Sequence, residues 1–260
     1  MNFEIGLDTV KYKPEAEPKK ITGTRLASIL GKNPYASPFQ TWCEITRLYE
    51  KPFIGNMFTE AGKTVEKAQI KYIKGLYGND VVSPTDVYGE NYFEKTFGDF
   101  YPEEVLFGGM WDIQKQTNGL TDIIFECKTT SAKHRDDWKD GIPEYYALQA
   151  ALYAWLSRTD KVVMVASFLD YKDYKRPDMY VPNKDNTIIR GFRVSERYPH
   201  FLTEQASEAA LWYGEHVGEG ISPKYDLDRD YEYLAALYQM KEEEDERRID
   251  TTTEILPAEP

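Results

Sequence analysis

Glu126 and Lys128 stand two residues apart in the run Thr121-Asp122-Ile123-Ile124-Phe125-Glu126-Cys127-Lys128-Thr129-Thr130, a β-branched and aromatic stretch that predicts a strand. Side chains alternate faces along a strand, so the carboxylate and the amine emerge on the same face. Charges there are costly to bury unless they are matched or bind a cation. Upstream, Val105 to Ile113 reads as a second strand, and Gln116-Thr117-Asn118-Gly119 supplies the turn between the two. The resulting hairpin brings Asp112 beside Glu126. Two carboxylates and a lysine at one place can hold a hard divalent cation and a water, the equipment for metal-assisted phosphodiester hydrolysis. For an E-x-K taken singly, a salt bridge on an edge strand is the plain alternative.

The elements around this hairpin must complete the site. Residues 62–78 predict a helix closed by Gly78, with Val65, Ala68, Tyr72, Ile73 and Leu76 at helical spacing. Lys63, Lys67, Lys71 and Lys74 share one solvated side of it, whereas Glu66 falls on the apolar half between Ile73 and Tyr77. A third metal-site carboxylate explains Glu66, and a salt bridge to an inward base explains it too. Glu60 competes for the role but lies ahead of the predicted helix. Residues 143–157 predict another helix, with Pro143 at its start. Gln149 and Tyr153 are four apart and share a face there, where an amide and a phenol can hydrogen-bond the attacking water, the phosphate or the carboxylates. Gln149 is equally readable as an ordinary half-buried amide.

Elsewhere, residues 1–20 read as an irregular arm, 25–30 and 39–49 as helices, 161–169 and 186–194 as strands, 199–217 as an amphipathic helix and 228–248 as a last helix that turns acidic, with a disordered tail over 251–260. The domains expected are an arm (1–20), a catalytic domain (21–225) and an acidic C-terminal helix and tail (226–260).

With these residues assembled, the chain resembles the YqaJ-like viral recombinase family, the lambda-exonuclease type within the PD-(D/E)XK nuclease superfamily. Residues 21–35, followed by Pro38 and Trp42, look like the family's opening segment. Gly62-Lys63-Thr64-Val65-Glu66 matches its helical G-x-x-x-E, Asp112 its motif Asp, Glu126-Cys127-Lys128 its E-x-K, and Gln149 with Tyr153 its Q-x-x-x-Y. Five motifs in order make the resemblance specific where each singly is weak.

The resemblance implies an α/β (α+β) fold with a restriction-endonuclease-like core, a central mixed sheet flanked by helices. It implies Mg²⁺-dependent DNA cleavage, with Mn²⁺ able to substitute, and 5′-to-3′ digestion of duplex DNA from a free end. It implies metal coordination by Asp112, Glu126 and the carbonyl of Cys127, with Glu66 as a further candidate and Lys128 orienting or activating the water. Thr24 and Arg25 in the opening segment become DNA contacts, and the implied partners are a single-strand annealing protein and further copies of the chain in a ring. The chain departs from the family at its 5′-phosphate grip: Gly109 and Met110 stand where the lambda-type enzyme has a serine, and Lys19 and Lys20 where it has an arginine. A structure-specific or nicking endonuclease on the same fold therefore stays open, as does a catalytically silent DNA-binding or inhibitory protein.

Composition narrows the field. Two hundred and sixty residues with 14% aromatics suit one α/β domain with appendages. No apolar run has transmembrane length and the polar N-terminus does not read as a signal peptide, so a cytoplasmic protein with no membrane role is expected, in the bacterial host cell if phage-encoded. Cys43 and Cys127 are too few for an iron–sulfur cluster, and His134, His200 and His216 lack ligand spacing for zinc. The formal charge of −12 opposes indiscriminate binding of nucleic acid. Twelve acidic against four basic residues from Asp226 onward account for −8 of it. A basic face thus remains possible on Lys63, Lys67, Lys71 and Lys74, or on Lys133, His134 and Arg135, which follow the E-x-K strand and are the better placed for phosphate. Either set is also readable as an ordinary solvated face.

Overall fold

A computed structural model describes residues 2–253. In chain order its elements are β1 (Phe3–Ile5), β2 (Val10–Tyr12), α1 (Gly23–Ile29), α2 (Pro38–Ile45), α3 (Met57–Tyr77), β3 (Val81–Val82), α4 (Pro84–Tyr88), α5 (Tyr92–Thr96), β4 (Ile113–Thr117), β5 (Leu120–Ser131), α6 (Glu144–Leu156), β6 (Lys161–Leu169), α7 (Tyr171–Lys175), β7 (Thr187–Arg193), α8 (Val194–Arg197), α9 (Ser207–Trp212) and α10 (Tyr231–Thr253). They fall into two compact units, one of Lys20–Pro34 and Phe53–Leu211, the other of Met1–Lys19, Tyr35–Pro52 and Trp212–Pro260.

The first unit is built on a five-stranded mixed sheet ordered β3-β4-β5-β6-β7. β4 and β5 form the expected hairpin, turning at Asn118 and Gly119, both with positive φ (53° and 78°), as a tight two-residue turn requires. β5 and β6 run parallel, so the chain must cross over, and α6 is that crossover. β6 reads Val-Val-Met-Val-Ala-Ser-Phe-Leu over residues 162–169 and is buried throughout, as a central strand covered on both faces must be. On one face α3 packs through Ile73 against Val81, Ile113, Phe125, Cys127, Val163 and Val165. The side chains of Glu126 and Lys128 emerge on the other face, where α6 lies.

Three details depart from the sequence expectations. α3 starts at Met57, five residues earlier than its apolar spacing shows, because Asn56 caps it: the Asn56 carboxamide accepts from the N–H groups of Phe58 and Thr59 at 2.9 and 3.1 Å. Glu60 therefore lies inside the first turn, exposed and paired with Lys63 at 3.0 Å, and Leu76 is exposed while Gln69 takes its place on the buried stripe. The strand predicted from Val105 begins only at Ile113. Residues 105–112 cross the sheet end as an irregular segment, its Gly109 at φ +131°, held by a bridge between Ile21 and Phe107. β4 consequently stops opposite Phe125, whereas β5 continues to Ser131. Among the described residues no strand faces the backbone of Cys127 and Thr129 on that side.

In the second unit the segment expected to be an irregular arm forms the hairpin β1–β2, with Phe3, Val10 and Tyr12 buried. Tyr233, Leu234 and Leu237 at the start of α10 are buried within this unit, the Tyr233 hydroxyl hydrogen-bonded to Glu44 at 2.8 Å and its ring set edge-on to Tyr49. Of the tail expected over 251–260, residues 254–260 lie outside the described residues.

Candidate active site

The register that sets Ile113 opposite Phe125 brings the preceding Asp112 alongside Glu126 and Cys127. Asp112 Oδ2 accepts the Cys127 N–H at 2.7 Å, filling the ladder position that β4 vacates. Glu126 is 1% exposed. Its Oε1 accepts from Lys128 Nζ at 2.8 Å and from Gln149 Nε2 at 2.7 Å, while Gln149 Oε1 accepts from Lys128 Nζ at 3.1 Å. The three side chains close a triangle. Glu126 Oε2 is buried with no hydrogen-bond partner among the described residues.

Glu66, one helical face away from solvent on α3, joins by electrostatics. Burial, then the charge of Asp112, lifts its carboxyl to about 7. Burial, then Asp112, lifts Glu126 to about 8, and burial lifts Asp112 as well, against the pull of Lys128. Lys128 is drawn down by burial but held up more strongly by Glu126 and Asp112, so it stays an ammonium. Its Nζ also stands 5.0 Å above the ring of Tyr146. Tyr153 is buried, and burial followed by the charge of Glu126 keeps its phenol neutral; the Gly23 N–H donating to its oxygen works the other way.

Two glycines allow this closeness. A Cβ on Gly23 would lie 2.5 Å from Gln149 Cγ, and one on Gly109 2.7 Å from Tyr153 Cε1. α1 and the irregular segment before Asp112 therefore press directly on the two polar residues of α6.

The sequence-predicted residues Glu66, Asp112, Glu126, Lys128, Gln149 and Tyr153 thus converge. The expected DNA contacts spread more widely. Thr24 is exposed on the first turn of α1, and Arg25 Nη1 donates to the Lys20 carbonyl at 2.9 Å. Beyond β5, Lys133 is exposed, His134 pairs with Asp137 at 3.0 Å, and Arg135 folds back onto the Phe168 ring and the Asp185 carbonyl. On α3, Lys63 and Lys74 are spent on Glu60 and Asp86. Sequence reasoning missed Tyr146, Gly23 and Tyr92, whose phenol is raised by burial and then by Glu66 and Asp112. Tyr146 had a signal, three residues before Gln149 on the same helix; the short α5 carrying Tyr92 offered none.

The donors suit a hard divalent cation. Three carboxylates against one ammonium leave a formal −2 in a site that burial makes hostile to unmatched charge. The unpaired Glu126 Oε2 and the Cys127 carbonyl on the bare edge of β5 are oxygen donors of the kind Mg²⁺ takes. No three His, Cys, Asp or Glu side chains among the described residues close on one point. Asp112, Glu126 and the Cys127 carbonyl are the groups that would hold such a cation, with water completing its shell, as suits a cation that retains several waters.

The five-stranded mixed sheet with its E-x-K strand defines a PD-(D/E)XK-type core. Residues 14–160 match the YqaJ-like viral recombinase domain, and the chain belongs to that family. It is 26% identical to the protein MG373 of Mycoplasma genitalium, over 79% of this chain and 83% of that one, and 24% identical to its homolog in Mycoplasma pneumoniae, over 83% and 86%. In structure it is similar to the alkaline exonuclease LHK-Exo of Laribacter hongkongensis (TM-score 0.50, 16% identity, 88% of this chain and 95% of that one). It is also similar to a phage related exonuclease of Haemophilus somnus 129PT (TM-score 0.52, 14% identity, 78% and 96%). These structural likenesses establish the fold. No helix among the described residues is long and apolar enough to cross a membrane.

Proposed function

We propose that the protein is a Mg²⁺-dependent deoxyribonuclease of phage-type recombination, an exonuclease that digests duplex DNA 5′-to-3′ from a free end. The observation that carries this reading is the cluster of a buried Glu126 with half-buried Glu66, Asp112 and Lys128, deficient by two positive charges and holding an unpaired carboxylate oxygen. The family and the exonuclease activity named for the structural neighbours support it. Asp112, Glu126 and the Cys127 carbonyl hold the cation, with Glu66 beside them. A bound Mg²⁺ supplies a Lewis acid for the phosphate and a water of lowered pKa. Lys128, an ammonium fixed by Glu126 and Gln149, places positive charge and a hydrogen-bond donor where the phosphate and water meet. Tyr153, a neutral phenol, can donate as well as accept.

One observation favours the endonuclease alternative. Lys20 Nζ is taken by Asp99 at 2.6 Å, and the Gly109 N–H donates to the same carboxylate at 3.0 Å. The groups nearest to the family's terminal-phosphate grip are thus already paired within the chain. End-labelled linear duplex and closed circular DNA, each with Mg²⁺, with Mn²⁺ and with chelator, separate the possibilities. An exonuclease releases nucleotides from the linear duplex and leaves the circle intact; a nicked circle means endonuclease, and inert substrates under all conditions mean a silent DNA-binding protein. Pairing with a single-strand annealing protein and assembly into a ring belong to the same proposal, and co-purification and mass measurement in solution test them.

A further inference from the structure

Gln69 lies one turn beyond Glu66 on the same face of α3 and is fully buried. Its Nε2 faces three acceptors, the Lys128 carbonyl at 3.0 Å, the Val165 carbonyl at 3.1 Å and Ser167 Oγ at 3.0 Å. These contacts fix the amide's orientation, since a flipped group would set its oxygen against two carbonyls. The amine end clips β5 to β6 beside the E-x-K pair. The other end, Oε1, has no hydrogen-bond partner among the described residues, although buried acceptors in folded proteins are almost always satisfied.

Gln69 lines a cavity of about 360 Å³ whose walls also include Thr59, Glu66, Cys127, Lys128 and Thr129. The cavity is rich in acceptors: Gln69 Oε1, the Glu66 carboxylate, and the backbone of Cys127 and Thr129 where β4 no longer covers β5. Such a lining suits a group that presents hydrogens outward, which a divalent cation does through its coordinated waters.

We propose that Gln69 is a positioning residue for the cation: its Oε1 accepts a hydrogen bond from a water in the cation's hydration shell, on the Glu66 side of the site. The inference rests on the nuclease reading above. Partners of this kind typically change metal affinity by about 10- to 100-fold when removed.

Mn²⁺ alone is the probe, its free concentration followed by electron paramagnetic resonance in the absence of DNA, with the melting temperature of each metal-free protein as the control for folding. Gln69→Leu is expected to bind Mn²⁺ about tenfold more weakly. Gln69→Glu keeps an oxygen at the same place and adds charge, and is expected to bind at least as tightly as the wild type even though its clip is damaged. Ser167→Ala weakens the clip alone, and is expected to lower the melting temperature slightly with an unchanged Kd. Wild-type affinity in Gln69→Leu, or a loss in Ser167→Ala as large as that in Gln69→Leu, overturns the assignment, because Gln69 then acts through the sheet alone. A wild-type protein that binds no Mn²⁺ removes the nuclease reading as well, whereas one that binds Mn²⁺ and cleaves DNA with Gln69 dispensable removes only this inference.

Discussion

Gln149 Nε2 donates to Glu126 Oε1 at 2.7 Å while Gln149 Oε1 accepts from Lys128 Nζ at 3.1 Å, so a single amide spans both charged members of the E-x-K pair. An amide is suited to this because it offers a donor to the carboxylate and an acceptor to the ammonium at once. It orients the pair without altering its charge. Gln149→Ala should therefore slow DNA cleavage by roughly 10- to 100-fold and weaken Mg²⁺ binding by much less, since the ligand charges remain. Calorimetry showing that Gln149→Ala no longer binds Mg²⁺ contradicts this role.

The charged residues should behave in the opposite way. Asp112→Asn, Glu126→Gln and Lys128→Ala are each expected to reduce cleavage by about 10³-fold or more, a hard cation needing anionic oxygens and the phosphate a fixed positive charge. Glu126→Gln should do so while leaving the metal-free protein as stable as the wild type or more so, because it replaces a carboxylate that burial disfavours with a neutral amide of the same shape. Cleavage rate and thermal midpoint of the same preparation check both halves. Near-normal turnover by Asp112→Asn would sink the metal assignment.

Most of this site was legible in the sequence because its geometry is set by short-range periodicity. The two-residue alternation of a strand put Glu126 with Lys128, a tight hairpin turn put Asp112 alongside Glu126, and the four-residue spacing of a helix put Gln149 with Tyr153. What escaped depends on contacts that no periodicity encodes. Gly109 at φ +131° and the approach of Gly23 to Gln149 follow from the meeting of distant segments. The early start of α3 followed from an Asn cap outside its apolar pattern, and the strand predicted over 105–113 gives way, up to Ile113, to an irregular segment in which Gly109 turns at positive φ beside Tyr153. Gln69 was hidden for another reason: a polar residue on the buried stripe looks like a break in the pattern until its partners across two strands are seen.

The protonation of the cluster sets a pH dependence. Glu66 and Glu126, ordinarily near 4.5, are lifted to about 7 and about 8. A carboxyl whose pKa is raised by folding contributes stability that is fully present below its unfolded value and is lost as pH rises through the folded one. From these groups the metal-free protein should lose thermal stability between about pH 5 and pH 8. Asp86, lowered to about 2 by Lys74 and Ser83 despite its desolvation, works in a separate window: its contribution is lost only as pH falls from about 4 toward 2. Mg²⁺ should flatten the loss between pH 5 and 8, and its binding at pH 7 should release on the order of one proton per cation. Titration calorimetry in buffers of different ionisation enthalpy measures that number, and a value of zero rejects the raised pKa values.

The glycines under α6 offer a steric test. A Cβ on Gly109 would stand 2.7 Å from Tyr153 Cε1 and 3.0 Å from its oxygen, at a φ that side chains disfavour, so Gly109→Ala should cost about 1–3 kcal/mol in denaturant unfolding and displace the phenol. On Gly23 it would stand 2.5 Å from Gln149 Cγ and 3.0 Å from the Gln149 Cα, and the second contact cannot be relieved by a rotamer change. Gly23→Ala should therefore lower the cleavage rate at least as much as Gln149→Ala does. Tyr153→Phe, which removes only the hydroxyl, should slow cleavage by less than about tenfold and leave Mg²⁺ affinity unchanged. Wild-type rates in Gly23→Ala would show that Gln149 is not held by this contact.

The acidic end of the chain should be dispensable for chemistry. Residues 241–260 carry eight acidic and three basic side chains, and their removal takes the formal charge from −12 to −7. The apolar residues that anchor α10, Tyr233, Leu234 and Leu237, all precede the cut and keep their burial. A block such as Glu242 to Glu246 repels phosphate at a distance, and salt screens that repulsion over about 10 Å at 0.1 M. Deleting residues 241–260 should thus preserve cleavage and tighten DNA binding, by a margin that is largest at low salt and vanishes as salt rises. Binding isotherms of the full-length and shortened proteins across a salt series, without divalent cation, read this directly. A shortened protein that is folded yet inactive shows instead that the tail contributes to the site.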